Sequence, residues 1–181
     1  MLAHPHPLHG GSLNNKVIDQ LFKKFNGYAA LRFNFRGVGE SSGQYDQGFG
    51  ELDDLMAVID YSLKTFDCQL ENIVLCGYSF GSWIAWQLTT AHNWKLKALH
   101  LIAPPALKYP FNASIPQATN VYIWSAEKDE LIDHQNTLDW VEQLRNDAGK
   151  KIQHTTIKEA DHYFIGKTVS LIDQVLAVLN T

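Results

Sequence analysis

Three observations on this 181-residue chain predict an α/β fold, a mostly parallel sheet with helices on both faces. Short apolar, β-branched runs alternate with segments of helical periodicity. Each run is separated from the next by about one helix, the crossover that parallel pairing requires. One run, Ile73–Cys76, leads straight into Gly77-Tyr78-Ser79-Phe80-Gly81, the pattern of a sharp strand-to-helix elbow.

The elements follow in order. His4-Pro-His-Pro-Leu-His-Gly-Gly11 has the composition of a loop that leaves a strand, yet only Met1-Leu2-Ala3 precede it. Either that strand is very short or the numbered chain starts inside a longer protein, and the second is favoured. A helix is expected over 14–26 and a strand over Tyr28–Phe35. The Gly-rich stretch from Arg32 to Gly43 follows this strand and invites a dinucleotide-binding reading. That reading fails on spacing: Gly39 would need a glycine three residues on and meets Ser42, and no helical pattern begins until about residue 50. A loop with Arg36 tying its backbone down is expected instead.

A helix over 51–66 is well marked, since Leu52, Leu55, Ile59, Leu63 and Phe66 fall at three- and four-residue steps. Strand Ile73–Cys76 and a helix over 80–92 flank the elbow. Strand Ala98–Ile102 carries His100, expected to be a satisfied core residue. The stretch Pro104–Ala118 holds four of the six prolines and no helical period, so it is the only candidate for a minimal lid. Strands Val121–Trp124 and Ile152–Ile157 enclose a helix over 134–147. A last helix over 168–180 repeats the apolar stripe with Val169, Ile172, Val175, Leu176 and Leu179. No repeat or polar linker divides the chain, so residues 1–181 read as one domain.

Composition narrows the function. Net charge is −4 with Lys and Arg scattered, unlike the basic footprint of a nucleic-acid binder. No run of 18 apolar residues exists, so no membrane span is expected. The first residues lack the basic and apolar regions of a secretory signal, and two cysteines are too few for a disulfide framework. A cytoplasmic location is the default, with Cys76 packing as a small hydrophobe.

The chemistry is carried by the elbow. Gly-x-Ser-x-Gly arises by chance in roughly one chain in twenty of this length, so the flanking strand and helix patterns decide the reading. Ser79 is the expected nucleophile, and the N–H of Phe80, at the helix start, points to where an oxyanion would form. A serine hydroxyl needs a base, and the base needs an orienting carboxylate. On such elbows they follow in the order Ser, Asp/Glu, His, on loops after later strands. After Val121–Trp124 comes Ser125-Ala-Glu-Lys-Asp129-Glu, and after Ile152–Ile157 comes Lys158-Glu-Ala-Asp161-His162. His162 is the expected base and Asp129 the acid. Glu127, Glu130 and Asp133 compete with Asp129 and could equally be loop or N-cap charges. Asp161 adjoins His162, and neighbouring side chains on an extended loop point apart. His92, His134 and His154 fall on helices or a strand with no partner pattern.

The His-Pro loop has three readings. It could supply backbone donors, with the N–H groups of His6 and Leu8 completing an oxyanion hole beside Phe80. It could hold a metal on His4, His6 and His9, although the loop carries no carboxylate. It could be plain turn structure. The first is preferred, so no metal and no organic cofactor is expected.

Taken together, these pieces resemble the α/β-hydrolases, and more narrowly the small bacterial hydrolases related to dienelactone hydrolase and the Xaa-Pro dipeptidyl-peptidase-like group. The matching segments are His4–Gly11, Leu31–Gly43, Gly77–Gly81, the Glu127–Asp129 loop and Ala160–His162, in the family's order. The resemblance implies Ser79 as nucleophile, Asp129 as acid, His162 as base, and an oxyanion hole from the His-Pro loop and Phe80. Two departures stand out. The family carries two or more strands before the His-Pro loop, absent here. Dienelactone hydrolases proper use cysteine at the elbow, so their substrate is not implied. The expected function is a serine hydrolase acting on small esters by acyl transfer, with no nucleic-acid or membrane partner. A prolyl-type peptidase and a non-catalytic binding protein on the same scaffold are the alternatives.

Overall fold

A computed structural model describes residues 1–25, 27, 29–111, 119–148 and 152–179. Among these residues five strands form one sheet in the order β1 (Leu2–Ala3), β2 (Val74–Tyr78), β3 (Ala98–Ile102), β4 (Val121–Ala126) and β5 (Ile152–Ile157). Every pair is parallel. β3 and β4 are buried along their whole length, which is why they read as unbroken apolar runs rather than alternating ones.

Helices α1 (Lys16–Lys24), α2 (Phe49–Thr65), α3 (Phe80–Ala91), α4 (His134–Ala148) and α5 (Thr168–Leu179) divide between the two faces. Val17, Ile18 and Leu21 of α1 meet Leu171, Ile172 and Val175 of α5 over Cys76, Ile102 and Trp124. On the other face, Leu55 and Ile59 of α2, Ile84 and Trp86 of α3, and Trp140 and Val141 of α4 cover Leu75, Leu99, Leu101 and Ile123. The stripes expected on α2 and α5 hold except at one end of each. Phe66 and Val169 are exposed, and Leu171 enters the core instead. Among the described residues, no helix is long and apolar enough to cross a membrane.

One expected strand is missing. Of Tyr28–Phe35, Tyr28 lies outside the described residues, and the rest forms a single parallel bridge from Arg32 to Leu2, with Leu31 O accepting the Leu2 N–H at 2.9 Å. Two features limit the pairing. β1 offers only two strand residues, and the Phe35 N–H is taken by His4 Nε2 at 3.0 Å rather than by a strand carbonyl. The Gly-rich loop that follows is held by a different residue from the one expected. Arg36 turns its guanidinium and its own N–H to Asp54 on α2. The fully buried Glu51 carboxylate accepts the Asp46 and Gly48 N–H groups, and so binds the loop backbone.

This winding positions the site. After β1 the chain crosses one face through α1 to Arg32 on the outer side of β1. It returns over the opposite face through α2 to β2 on the inner side. The loops after β1 and β2 therefore leave in opposite directions, and a crevice opens between them at the carboxyl ends of the strands.

Candidate active site

Ser79 sits between the last residue of β2 and the first of α3 with φ 50° and ψ −117°. A non-glycine residue at positive φ is strained by about 1–3 kcal/mol, and such strain gathers where a side chain must be aimed. The turn is fixed by the Ser79 N–H, which donates to Ile102 O at 2.8 Å, and by Ser79 O, which accepts the Ser82 hydroxyl at 2.6 Å. The flanking glycines are required by contact. A Cβ on Gly77 would lie 2.3 Å from Gly81 O, and one on Gly81 would lie 2.4 Å from Ala3 O. Only bare backbone lets α3 start this close to both strands.

The loops after β4 and β5 meet the elbow. His162 Nε2 is 3.1 Å from Ser79 Oγ, and His162 Nδ1 is 2.8 Å from Asp129 Oδ2. With Nδ1–H donating to the carboxylate, Nε2 is free to accept the serine proton. Both side chains are nearly sealed from solvent, at 5% and 4% exposure, so their attraction is little screened. Asp129 is fully engaged: Oδ1 accepts the N–H groups of Leu131 and Ile132 at 2.9 and 2.8 Å. Two backbone donors thus fix Oδ1 of a buried carboxylate and leave Oδ2 to accept from the imidazole.

The competing carboxylates have other partners. Glu127 accepts the Glu159 N–H, Glu130 accepts the His162 N–H, Asp133 accepts the Asn136 N–H at the start of α4, and Asp161 accepts the Ile165 N–H. The first two join the acid loop to the base loop, a link reinforced by the Lys128 N–H donating to Ala160 O at 2.8 Å and by the Lys128–Glu159 ion pair. Tyr78 is a neighbour of His162 that no sequence pattern singled out. Its hydroxyl donates to His162 O at 2.7 Å, and its ring stacks near the imidazole.

The His-Pro loop folds against the crevice. Pro7–His9 form a short 3-10 turn capped by His6, whose Nδ1 accepts the Leu8 N–H at 3.2 Å. That bond removes Leu8 from the expected oxyanion donors, because its proton is spent inside the loop. The N–H groups of Phe80 and His6 have no partner among the described residues. The metal reading fails for His4, since Nδ1 meets Pro5 O at 2.6 Å and Nε2 accepts the Phe35 N–H. Burial pushes its pKa down to about 4 and keeps it neutral. Among the described residues, no group of three His, Cys, Asp or Glu side chains could hold a metal ion.

Ser79, His162 and the His-Pro loop line a cleft of about 340 Å³ together with Tyr78, Lys108, Leu131 and Tyr163. A second, more apolar hollow of about 260 Å³ near the amino end of β2, lined by Phe25, Leu31, Phe66 and Ile73, contains none of these groups. The described part of the lid candidate, 104–111, packs down onto α3. Tyr109 stacks on Trp83, Trp83 Nε1–H donates to Pro110 O at 3.0 Å, and Phe111 is buried against Trp86 and Trp140. Residues 112–118 of the candidate lie outside the described residues.

His100 and Cys76 serve packing. The His100 ring stacks on Tyr122 and Trp124, and its Nδ1 accepts the Trp124 indole N–H at 3.2 Å. Nε2 finds no partner among the described residues, so this core histidine is only half satisfied. Cys76 is buried, and desolvation pushes its thiol up to about 11, leaving it inert.

A family described as "alpha/beta hydrolase fold" matches residues 8–119, which include the elbow but end before Asp129 and His162. An uncharacterized protein of Rickettsia prowazekii is 37% identical over 174 residues, 93% of this chain and 72% of that protein. A solved structure of an α/β serine hydrolase homologue from Coxiella burnetii has 32% identity and a TM-score of 0.85, covering 98% of this chain and 83% of that one. An α/β serine hydrolase without a lid from Xanthomonas campestris has 30% identity and a TM-score of 0.83, over 95% of this chain and 76% of the other. An esterase from Butyrivibrio proteoclasticus holding ferulic acid shares the fold with a TM-score of 0.79 over 98% of this chain and 86% of its own, at 17% identity.

Proposed function

Since this chain belongs to the α/β-hydrolase fold family, we propose that it is a serine carboxylesterase working on small esters through Ser79, His162 and Asp129. The observation that carries this reading is the pair of contacts at 3.1 and 2.8 Å linking hydroxyl, imidazole and carboxylate beside an open cleft.

Ser79 Oγ attacks the ester carbonyl carbon while His162 Nε2 takes the hydroxyl proton. The carbonyl oxygen becomes an oxyanion and accepts from the Phe80 and His6 N–H groups, a stabilisation worth about 3 kcal/mol for a well-placed donor. Asp129 holds the imidazole in its Nδ1–H tautomer and offsets the positive charge of the imidazolium. The tetrahedral intermediate collapses by expelling the alcohol, which receives the proton from Nε2, and Ser79 is left acylated. Water then enters, His162 removes its proton, and the acid departs as Ser79 regains its hydrogen. Every proton passes through His162 Nε2, which already meets Ser79 Oγ, and the steps balance without a metal or an organic cofactor. The cleft is small, and the described cover over it is packed onto α3, which suits short or projecting acyl groups.

The test uses a fluorophosphonate probe and paired substrates. Wild-type protein should be labelled at Ser79, Ser79→Ala should stay unlabelled, and short p-nitrophenyl esters should be cleaved in preference to aminoacyl-proline amides. Preference for the amides would favour a prolyl-type peptidase. A folded wild type that takes up no probe would favour a binding role.

A further inference from the structure

We propose that Tyr78 and Glu130 are positioning residues that grip the backbone of His162 from both sides and so set the register of its imidazole between Ser79 and Asp129. The inference rests on the serine-hydrolase reading and adds to it the parts that hold the base.

His162 has two main-chain polar groups near the site, and each is held by a side chain remote in sequence. Its N–H donates to Glu130 Oε2 at 3.1 Å, and its C=O accepts the Tyr78 hydroxyl at 2.7 Å. The segment needs such support. His162 lies between two positive-φ residues, Glu159 at 56° and Phe164 at 53°, in a loop outside any strand ladder. Backbone of that kind has no neighbouring strand to fix it, and a shift of about 1 Å in a catalytic group can cost about a hundredfold in rate.

Tyr78 is well placed for the task. It precedes Ser79 directly, so one rigid junction carries the nucleophile and grips the base. Its side chain is 1% exposed, and burial, with the Asp129 charge adding to it, pushes the phenol pKa well up. The hydroxyl therefore stays protonated, and a donor, at neutral pH. Its ring lies 5.9 Å from the imidazole at 29°, which limits tilting of the base. Glu130 joins from the exposed rim of the acid loop, one residue after Asp129, so acid and grip move together. The rival account makes Tyr78 ordinary core with its hydroxyl merely satisfied.

Tyr78→Phe keeps the ring and its packing and deletes only the donor. It should lower kcat on short p-nitrophenyl esters on the order of tenfold, with KM within about twofold, and slow probe labelling of Ser79 to match. Glu130→Ala should lower kcat in the same way. Glu130→Gln, whose amide oxygen still accepts the His162 N–H, should stay within about threefold of wild type. Should Tyr78→Phe fail to fold, the Glu130 pair at the exposed rim decides the question. Undiminished kcat in Tyr78→Phe or Glu130→Ala, with the wild type labelled and active, overturns the grip and leaves the hydrolase standing. An unlabelled, inactive wild type overturns both.

Discussion

Among the described residues two serine–histidine hydrogen bonds form, and one of them has the surroundings of a catalytic pair. Ser79 and His162 meet 3.1 Å apart at the sheet's carboxyl edge. Ser125 Oγ and His154 Nε2 meet 2.8 Å apart within the sheet, on β4 and β5, with Thr156 Oγ1 completing the cluster at 3.3 Å. By distance alone the second pair is the better one. It differs in three respects. Ser125 lies in regular strand and is 3% exposed, so no carbonyl can approach it, whereas Ser79 is thrust into a cleft by a strained turn. The imidazole of His162 is backed by a carboxylate, whereas the groups acting on His154 are Arg145 and His134. Burial, with Arg145 and His134 adding to it, pushes His154 down to about 4, so a proton taken from Ser125 would be poorly held. Placement and field distinguish the two pairs, and residue type does not.

The largest expected effect separates the two serines. Ser79→Ala should abolish ester turnover, a loss on the order of 10⁴-fold or more, while Ser125→Ala should retain wild-type kcat. Equal losses in both would dissolve the contrast. Next in size is the orienting carboxylate. Asp129→Asn keeps the shape of the side chain but favours the wrong tautomer of His162, so kcat should fall by about 10²–10⁴ with the circular dichroism spectrum unchanged. A small loss would mean that Glu130 or Glu127 can stand in.

The two regions also differ in how far the sequence exposed them. The elbow was legible because its glycines are dictated by contacts of 2.3 and 2.4 Å, which leave a spacing visible in the chain. His162 and Asp129 were legible because loops after successive strands must emerge on one edge of a parallel sheet. The five helices were legible from their apolar steps, and β3 and β5 to the residue. The His154–Ser125 bond was not, since cross-strand neighbours depend on the register Ile123↔His154 and Ser125↔Thr156, which no local pattern encodes. The shortfall of the strand over 28–35 was hidden for a similar reason. Its residues have the right propensity, but its length is limited by a two-residue partner and by the claim of His4 on the Phe35 N–H. Tyr78 escaped notice because a hydroxyl reaching a carbonyl 84 residues away has no sequence signature. The role assigned to Leu8 failed on a detail of the same scale, a cap within a three-residue turn.

A smaller effect, on stability, tests whether the elbow's geometry rather than its serine is what the glycines protect. Gly81→Ala forces a methyl against Ala3 O and His4 O, backbone atoms that cannot turn aside. Urea unfolding should show a loss of about 3 kcal/mol, at the upper end of overpacking penalties. A loss below about 1 kcal/mol would mean that α3 can withdraw from β1 at little cost. The Ser79→Ala chain, by contrast, should be no less stable than wild type, since it removes no buried contact of comparable size.

The smallest effect concerns protons. His4, His100 and His154 have folded pKa values depressed to about 4, 3 and 4, below the usual 6.5. Each is neutral in the folded chain and takes up a proton on unfolding below pH 6.5, so stability is fully present above that pH and is lost as pH falls toward 4. His4 and His100 are the more deeply buried and should dominate the slope. His154 is partly open to solvent, and screening should hold its share below about 1 kcal/mol per pH unit. Urea midpoints between pH 7 and 4.5 should therefore fall slightly less steeply in His154→Gln, which keeps a side-chain partner for Ser125, with kcat at pH 7 unaltered. If kcat fell instead, the buried pair would be coupled to turnover, and the separation between the two serine–histidine contacts would have to be abandoned.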